Sequence, residues 1–229
     1  MALILQLETS TSSCSVALSL NGETLAIKEA DERNIHAGSL TLFIQEVMNN
    51  AQKSMPDLDA VAVSMGPGSY TGLRIGVSTA KGLCFALEIP LIAVNTLQVM
   101  AHGFVSSANP VSADLLCPMI DARRMEVYTA VYNLQGKEIL PVDARIIDEN
   151  SYSEFLNGSK IVFFGDGAMK CADVLSKNPN ASFSAGFRNS AKDMNAIALE
   201  KYNRKEFEDV AYFEPYYLKD FVATQPRKQ

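Results

Sequence analysis

Residues 1–22 read MALILQLETSTSSCSVALSLNG, and residues 115–136 read LLCPMIDARRMEVYTAVYNLQG. Each stretch opens on an apolar run that ends in an acid, Glu8 or Asp121. Each then alternates and closes on a glycine turn, Asn21–Gly22 or Gln135–Gly136. Apolar runs and alternating runs bounded by turn residues mark strands, and Asn-Gly is a strong hairpin signal. From acid to turn glycine is 14 residues in the first copy and 15 in the second. A third strand follows each turn, at Thr24–Glu29 and Glu138–Ile147. The spacing favours one unit used twice.

Working outward, Leu40, Phe43, Ile44, Val47, Met48 and Ala51 fall at helical spacing, and Pro56 closes that helix. Ala60–Met65 reads as a buried strand, Thr71–Leu87 as a helix, Leu91–Val94 as a strand, and another helix starts at Thr96. In the second copy Ile161–Phe164, followed by Gly165-Asp166-Gly167, echoes Val61–Met65, followed by Gly66-Pro67-Gly68. Helices are expected at Ala168–Ser176 and Ala191–Tyr202. A chain running βββαβα twice predicts an α/β protein of two duplicated lobes facing a cleft. Ser, Asn and Pro cluster at Ser106–Pro110, which places the lobes at 1–107 and 108–213. Residues 214–229 are expected to return as a tail across the N-terminal lobe.

The chain has 229 residues and a formal net charge of −6. At this length a core forms without disulfides or metal. The acidic balance argues against strong nucleic-acid binding by the chain alone, since such binding rests on basic patches that displace counterions from phosphates. Cys14, Cys84, Cys117 and Cys171 form no CxxC pair, which suggests neither zinc nor redox chemistry. The first residues lack a basic n-region and meet Glu8 early, so neither a signal peptide nor a membrane span is expected, and a cytoplasmic protein is.

Three places could carry chemistry. The segment Gly66–Arg74 leads from a strand into a helix, whose first N–H groups can hold a phosphate. It is not a Walker A loop, and the plainer reading is a tight turn with Thr71 as N-cap. Along the helix Gly72, Gly76, Ala80 and Cys84 recur every four residues. That stripe admits close approach either of the helix's own sheet or of a helix from another chain. Glu8 and Asp121 end the first strand of each lobe, where carboxylates could meet a metal–nucleotide complex. Glu8, Ser10, Asp121, Gly165 and Gly167 are the candidate nucleotide or phosphate residues. No lysine or second acid stands beside either carboxylate in its loop. Position 40, four residues after His36, is Leu40, so the chain carries no His-x-x-x-His metal pair. No nucleophile elbow appears, and there are two histidines to supply a base.

Ile4–Thr11, Cys14–Leu18, Gly66–Gly76, Asp121-Ala122-Arg123-Arg124-x-Glu126-Val127-Tyr128 and Pro215-x-Tyr217-Leu218-Lys219 together resemble the TsaB (YeaZ) family over nearly the whole chain. Members partner the threonylcarbamoyladenosine synthase TsaD. The resemblance implies an actin-like ATPase (ASKHA) fold with ribonuclease H-like lobes, and a cytosolic, non-catalytic subunit in tRNA modification. It also implies pairing with TsaD through the N-terminal lobe, recruitment of the ATPase TsaE, and homodimers when alone. It implies tRNA contact only through the complex, with no cofactor required. The candidate partner surface comprises His36, Gly68, Tyr70, Thr71, Gly72, Arg74, Gly76 and Ala80. Many relatives carry Asp in place of Glu8, which weakens an inherited ATP or ADP site. The alternatives are a kinase or ATPase using the cleft, and a peptidase, for which the residues offer least.

Overall fold

The computed structural model describes residues 1–31, 36–107 and 112–219. The first lobe carries strands β1 (Leu3–Glu8), β2 (Ser13–Leu20), β3 (Glu23–Asp31), β4 (Ala60–Gly66) and β5 (Leu91–Asn95). Its helices are α1 (His36–Asn50), α2 (Tyr70–Leu87) and α3 (Thr96–Ser106). The second carries β6 (Leu115–Asp121), β7 (Glu126–Asn133), β8 (Glu138–Ile146), β9 (Ile161–Phe164) and β10 (Ala181–Ser184). Its helices are α4 (Ser153–Leu156), α5 (Ala172–Leu175) and α6 (Asn195–Arg204).

The two sheets share one topology. The first runs β3-β2-β1-β4-β5, and the second, read from its far edge, runs β8-β7-β6-β9-β10. In each, the opening strand pairs antiparallel with the second and parallel with the fourth, as in Leu7↔Val16 and Leu7↔Val63. The counterpart pairs are Leu116↔Tyr132 and Leu116↔Val162. This is the actin-like duplication. Its helices are unequal: where the first lobe has 15 and 18 residues in α1 and α2, the second has two four-residue helices, with a 3-10 turn at Met169–Cys171 before α5.

Alternation along β1 decides what lies on each face of the first sheet. Leu3, Leu5 and Leu7 join Val16, Leu18, Val61 and Val63 under α1 and α2, which bury Leu40, Ile44, Val47, Val77 and Ala80. Ala2 and Ile4 face the other way, with Ala60, Ala62, Ile92 and Val94. Each of the Leu, Ile and Val side chains among these contributes about 1.5–3 kcal/mol through burial.

The opposite face is covered by Met194, Ile197 and Ala198, from the 3-10 turn 191–194 and α6. Conversely, α3 sends Leu97, Met100, Ala101 and Phe104 onto the second sheet, where Phe104 stacks on Phe164 at 4.1 Å. Residues 191–204, assigned from sequence to the 108–213 lobe, therefore finish the first lobe's core. Helix α3 also sends Val99 into the first lobe's core, so it lies between the two sheets. The sequence boundary at 107/108 borders residues 108–111, which lie outside the described residues, as do 220–229 of the tail. Residues 208–217 run along the first lobe: Glu208 bridges Leu91, Lys81 Nζ donates to the carbonyls of Ala211 (3.2 Å) and Phe213 (2.9 Å), and Tyr216 N donates to Met65 O at 2.7 Å.

Burial pushes the Cys14 and Cys84 thiols up to about 11 and the Cys117 thiol to about 12. Such thiols hold almost no thiolate at neutral pH and serve as small core residues. Among the described residues no helix is long and apolar enough to cross a membrane.

Candidate functional site

Between the lobes lies a cleft of about 700 Å³. Its first wall is the β1–β2 turn, Ser10–Ser12, with the start of α2. Its second is the β6–β7 turn, Ile120–Arg123, with Asp166. On the first wall the turn and helix are fastened together. Ser69 N donates to Ser10 O at 2.6 Å, and Ser69 Oγ caps α2 by accepting from Gly72 N at 3.3 Å. The cap is thus Ser69 rather than Thr71, because α2 begins at Tyr70.

The small-residue stripe is consumed here. A Cβ at Gly72 would overlap the Thr9 carbonyl oxygen, one at Gly76 the Thr9 hydroxyl, and one at Gly68 the Ser10 carbonyl. Gly72, Gly76 and Ala80 are buried. These positions let α2 settle onto the β1–β2 turn of its own lobe and cannot form a partner surface. A bulky residue at 76 would displace Thr9. His36 is likewise buried, its Nε2 3.2 Å from Ser13 O. Leu40, in the core at 1% exposure, occupies the place a second histidine would need.

Glu8 does not reach the cleft, contrary to its expected place facing a nucleotide. It is fully buried. Its Oε1 accepts from Ser10 N (2.7 Å), Ser10 Oγ (2.5 Å) and Ser64 Oγ (3.0 Å), while Oε2 has no partner among the described residues. Burial raises its pKa against the lowering effect of those hydrogen bonds. Ser10 also accepts from Asn189 Nδ2 at 3.3 Å, so its hydroxyl is spent on the joint with the 185–190 segment. Glu8→Gln should keep the two serine hydroxyls paired and alter urea stability by under ~1 kcal/mol. Glu8→Ala should cost about 2 kcal/mol by leaving them unpaired. Equal losses in the two variants would refute this structural role.

On the second wall Asp121 does face the cleft, but it has company. Lys170 Nζ donates to its Oδ1 and to Glu126 O (2.7 Å), and Arg123 N donates to the same Oδ1 at 2.8 Å. Asp166 Oδ1 accepts from Asp121 N at 2.9 Å, and burial, followed by the Asp121 charge, raises the Asp166 pKa. The second acid and the lysine missing from the loops are supplied by the segment after β9, 45 and 49 residues along the chain. Sequence spacing gives no sign of them. Gly165 and Gly167 do not open space for an adenosine. A Cβ at Gly165 would overlap Met119 O, and one at Gly167 would sit 2.8 Å from Ile120 C, so both pack on β6.

A nucleotide–metal complex, which this fold implies, needs carboxylates and an open glycine turn. Glu8 is sealed, Asp121 is engaged by Lys170, and the turn is filled, so these residues do not fit that mode of binding. Among the described residues no three His, Cys, Asp or Glu side chains gather as metal ligands.

The cleft mouth is crossed by the tail. The Tyr217 ring lies tilted against Tyr70 with ring centroids 4.8 Å apart, Arg74 lies 4.7 Å over the Tyr70 ring, and Lys219 pairs with Glu126. Tyr70 is thereby committed within the chain. Of the expected partner residues, Thr71 and Arg74 are exposed. They belong to an outward face of α2 that continues through Ser78, Gly82 and Phe85, with Phe85 81% exposed. Helix α1 exposes Leu42 at 61%. Sequence reasoning missed both. The available signal was an aromatic residue out of phase with the buried positions of its helix.

Residues 30–224 match the family model described as TsaD, tRNA N6-adenosine threonylcarbamoyltransferase. The Escherichia coli K12 tRNA threonylcarbamoyladenosine biosynthesis protein TsaB is 33% identical, with 96% of each chain covered. Its Haemophilus influenzae namesake is 38% identical over 55% of this chain and 51% of its own. Among solved structures, YeaZ from Pseudomonas aeruginosa superposes with a TM-score of 0.78 at 28% identity, covering 95% of this chain and 100% of that one.

Proposed function

Because the chain belongs to the TsaB family of tRNA threonylcarbamoyladenosine biosynthesis, we propose that it acts there as a subunit without chemistry of its own, docking a TsaD-type catalytic partner on the outward faces of α1 and α2. The observation that carries this reading is the pair Leu42 and Phe85, large apolar side chains exposed on neighbouring helices of one lobe. Large apolar side chains left exposed on two helices of one lobe suit a protein-binding face, and exposed aromatics are favoured anchors. The same face would serve a homodimer when the partner is absent. A TsaE-type ATPase joins the pair, and tRNA is met only by the assembly, in keeping with a charge of −6. The setting is the cytoplasm, and no nucleotide is required.

The non-catalytic role is supported by what the residues already do. His36 is held against Ser13, Leu40 fills the core, and Glu8 sits under Ser10 and Ser64. Affinity purification of the tagged chain from its native cytosol tests the proposal. Recovery of a protein bearing a His-x-x-x-His motif, together with loss of threonylcarbamoyladenosine on depletion of this chain, supports it. Unchanged modification after depletion removes it. The Lys170–Asp121 pair keeps an ATPase reading testable: magnesium–ATP binding by calorimetry, weakened by Asp121→Ala, would favour that reading.

A further inference from the structure

A second cavity, of about 480 Å³, shares no lining residue with the cleft. It opens where α3 meets the turn 191–194, with His102 and Gly103 on one side and Lys192 and Asp193 on the other. This crossing holds the lobes together, since α3 covers the second sheet and the turn covers the first. The Asp193 carboxyl lies so close to Gly103 that a Cβ there would overlap Oδ2 and Cγ. Glycine at 103 makes room for that carboxyl.

The surroundings of Asp193 offer little to balance a negative charge. From β3 comes Glu29, which already accepts from Ser15 Oγ at 2.8 Å and from Ser190 Oγ. From β1 comes the buried Glu8, and from β2 the neutral Ser15, accepting from Ala191 N at 2.9 Å. Helix α3 presents His102. The charged residues of α6 are engaged with one another and with Glu206, as Arg204–Glu200 and Lys201–Glu206. Arg188, on the cavity rim, pairs with Asp31. Lys192, beside Asp193 in the chain, is the cation that acts on it.

We propose that the Asp193–Gly103 contact is a proton-operated latch at the joint between the lobes: the neutral carboxyl seats the turn 191–194 against α3, and the ionised carboxyl releases it. Burial first, with Glu29 and Glu8 adding to it and Lys192 opposing, pushes the Asp193 carboxyl up from 3.8 to about 7. The folded chain then binds more protons than the unfolded one between those values. The latch is fully stabilising below the unfolded pKa, and its contribution falls as pH rises through about 7.

Hydrogen exchange at pH 6 and pH 8.5, comparing wild type with Asp193→Asn at each pH, tests the latch without interference from intrinsic exchange rates. At pH 6 the two should match across residues 100–107 and 191–198. At pH 8.5 those amides in wild type should exchange about 10–30-fold faster than in the variant, following the ratio of ionised to neutral carboxyl. A wild type that tracks the variant at both pH values overturns the proposal. So does loss of the pH effect in His102→Gln, which would make the histidine the titrating group. If Asp193→Asn does not fold, carbon NMR of the wild-type carboxyl decides: a midpoint between about 6 and 8 supports the latch, and one near 4 overturns it.

Discussion

Gly72→Ala should destabilise the protein by about 2–3 kcal/mol, opposite in sign to the usual effect of this substitution in a helix. Alanine is a better helix former than glycine by about 1 kcal/mol, so propensity alone predicts a gain. At position 72, however, the added methyl would land on the Thr9 carbonyl oxygen. Thr9 is fully buried between two fastened neighbours, Glu8 with its three hydrogen bonds and Ser10 with its bond from Ser69. Backbone held this way cannot step aside cheaply, and overpacking of a tight core is strongly destabilising. Gly82 on the same helix provides the internal control, because a Cβ there meets nothing within 4 Å. Gly82→Ala should raise stability by about 0.5–1 kcal/mol. Urea unfolding of the two variants checks both signs. A neutral Gly72→Ala would mean that α2 does not rest on the β1–β2 turn.

Phe85→Asp should weaken pairing with the TsaD-type partner by about 100-fold or more while leaving the fold intact. At 81% exposure the phenyl ring contributes almost nothing to the lobe's own core. Its loss should therefore change melting temperature little. In an interface, an aromatic anchor replaced by a carboxylate loses its apolar contact and adds a charge that must be desolvated, a cost of about 3 kcal/mol or more. Calorimetry on the purified pair gives the affinity, and tRNA modification in cells that rely on the variant gives the consequence. Wild-type affinity in Phe85→Asp and in Leu42→Asp alike would move the interface off α1 and α2. The contrast with Gly76 is instructive. A large residue at 76 also prevents pairing, but by damaging the lobe, so only the exposed position separates interface from fold.

Much of the architecture is legible along the chain because it depends on local signals. The two acid-to-turn segments, the apolar runs of β1, β4, β6 and β9, and the 3.6-residue spacing of α1 each speak for a neighbourhood of ten to twenty residues. Strand β10 and helix α4 escaped because four residues are too few to establish a period. β10 is Ala-Ser-Phe-Ser, with little apolar character to announce a strand. The turn 191–194 and α6 read as one helix from Ala191, since a 3-10 turn and an α-helix share nearly the same apolar spacing.

The site was less legible, and its residues show why. Asp121 was found as an acid at a strand end, yet its partner Lys170 lies 49 residues away, brought back by β9 running parallel to β6. Glu8 was found by the same signal and proved to be buried. Nothing local distinguishes the two; the difference is that Ser64 and the 189–191 segment close over Glu8, whereas the Asp121 side chain stays about half exposed beside Lys170. The stripe Gly72–Gly76–Ala80 reads equally as packing surface or partner surface, because periodicity reports a face without reporting what covers it.

By itself, then, the sequence determined the duplicated lobes through their repeated strand pattern, the family, and the absence of a second histidine after His36. Those properties are written in residue type and short-range spacing. Tertiary structure alone decided that α3 lies between the two sheets while the segment 191–204 completes the first, that Thr9 fills the glycine stripe, that Lys170 neutralises Asp121, and that Asp193 lies against Gly103. Each of these joins residues far apart in the chain, and burial, which fixes both the cost of a charge and the room for a side chain, exists only once the chain has closed on itself.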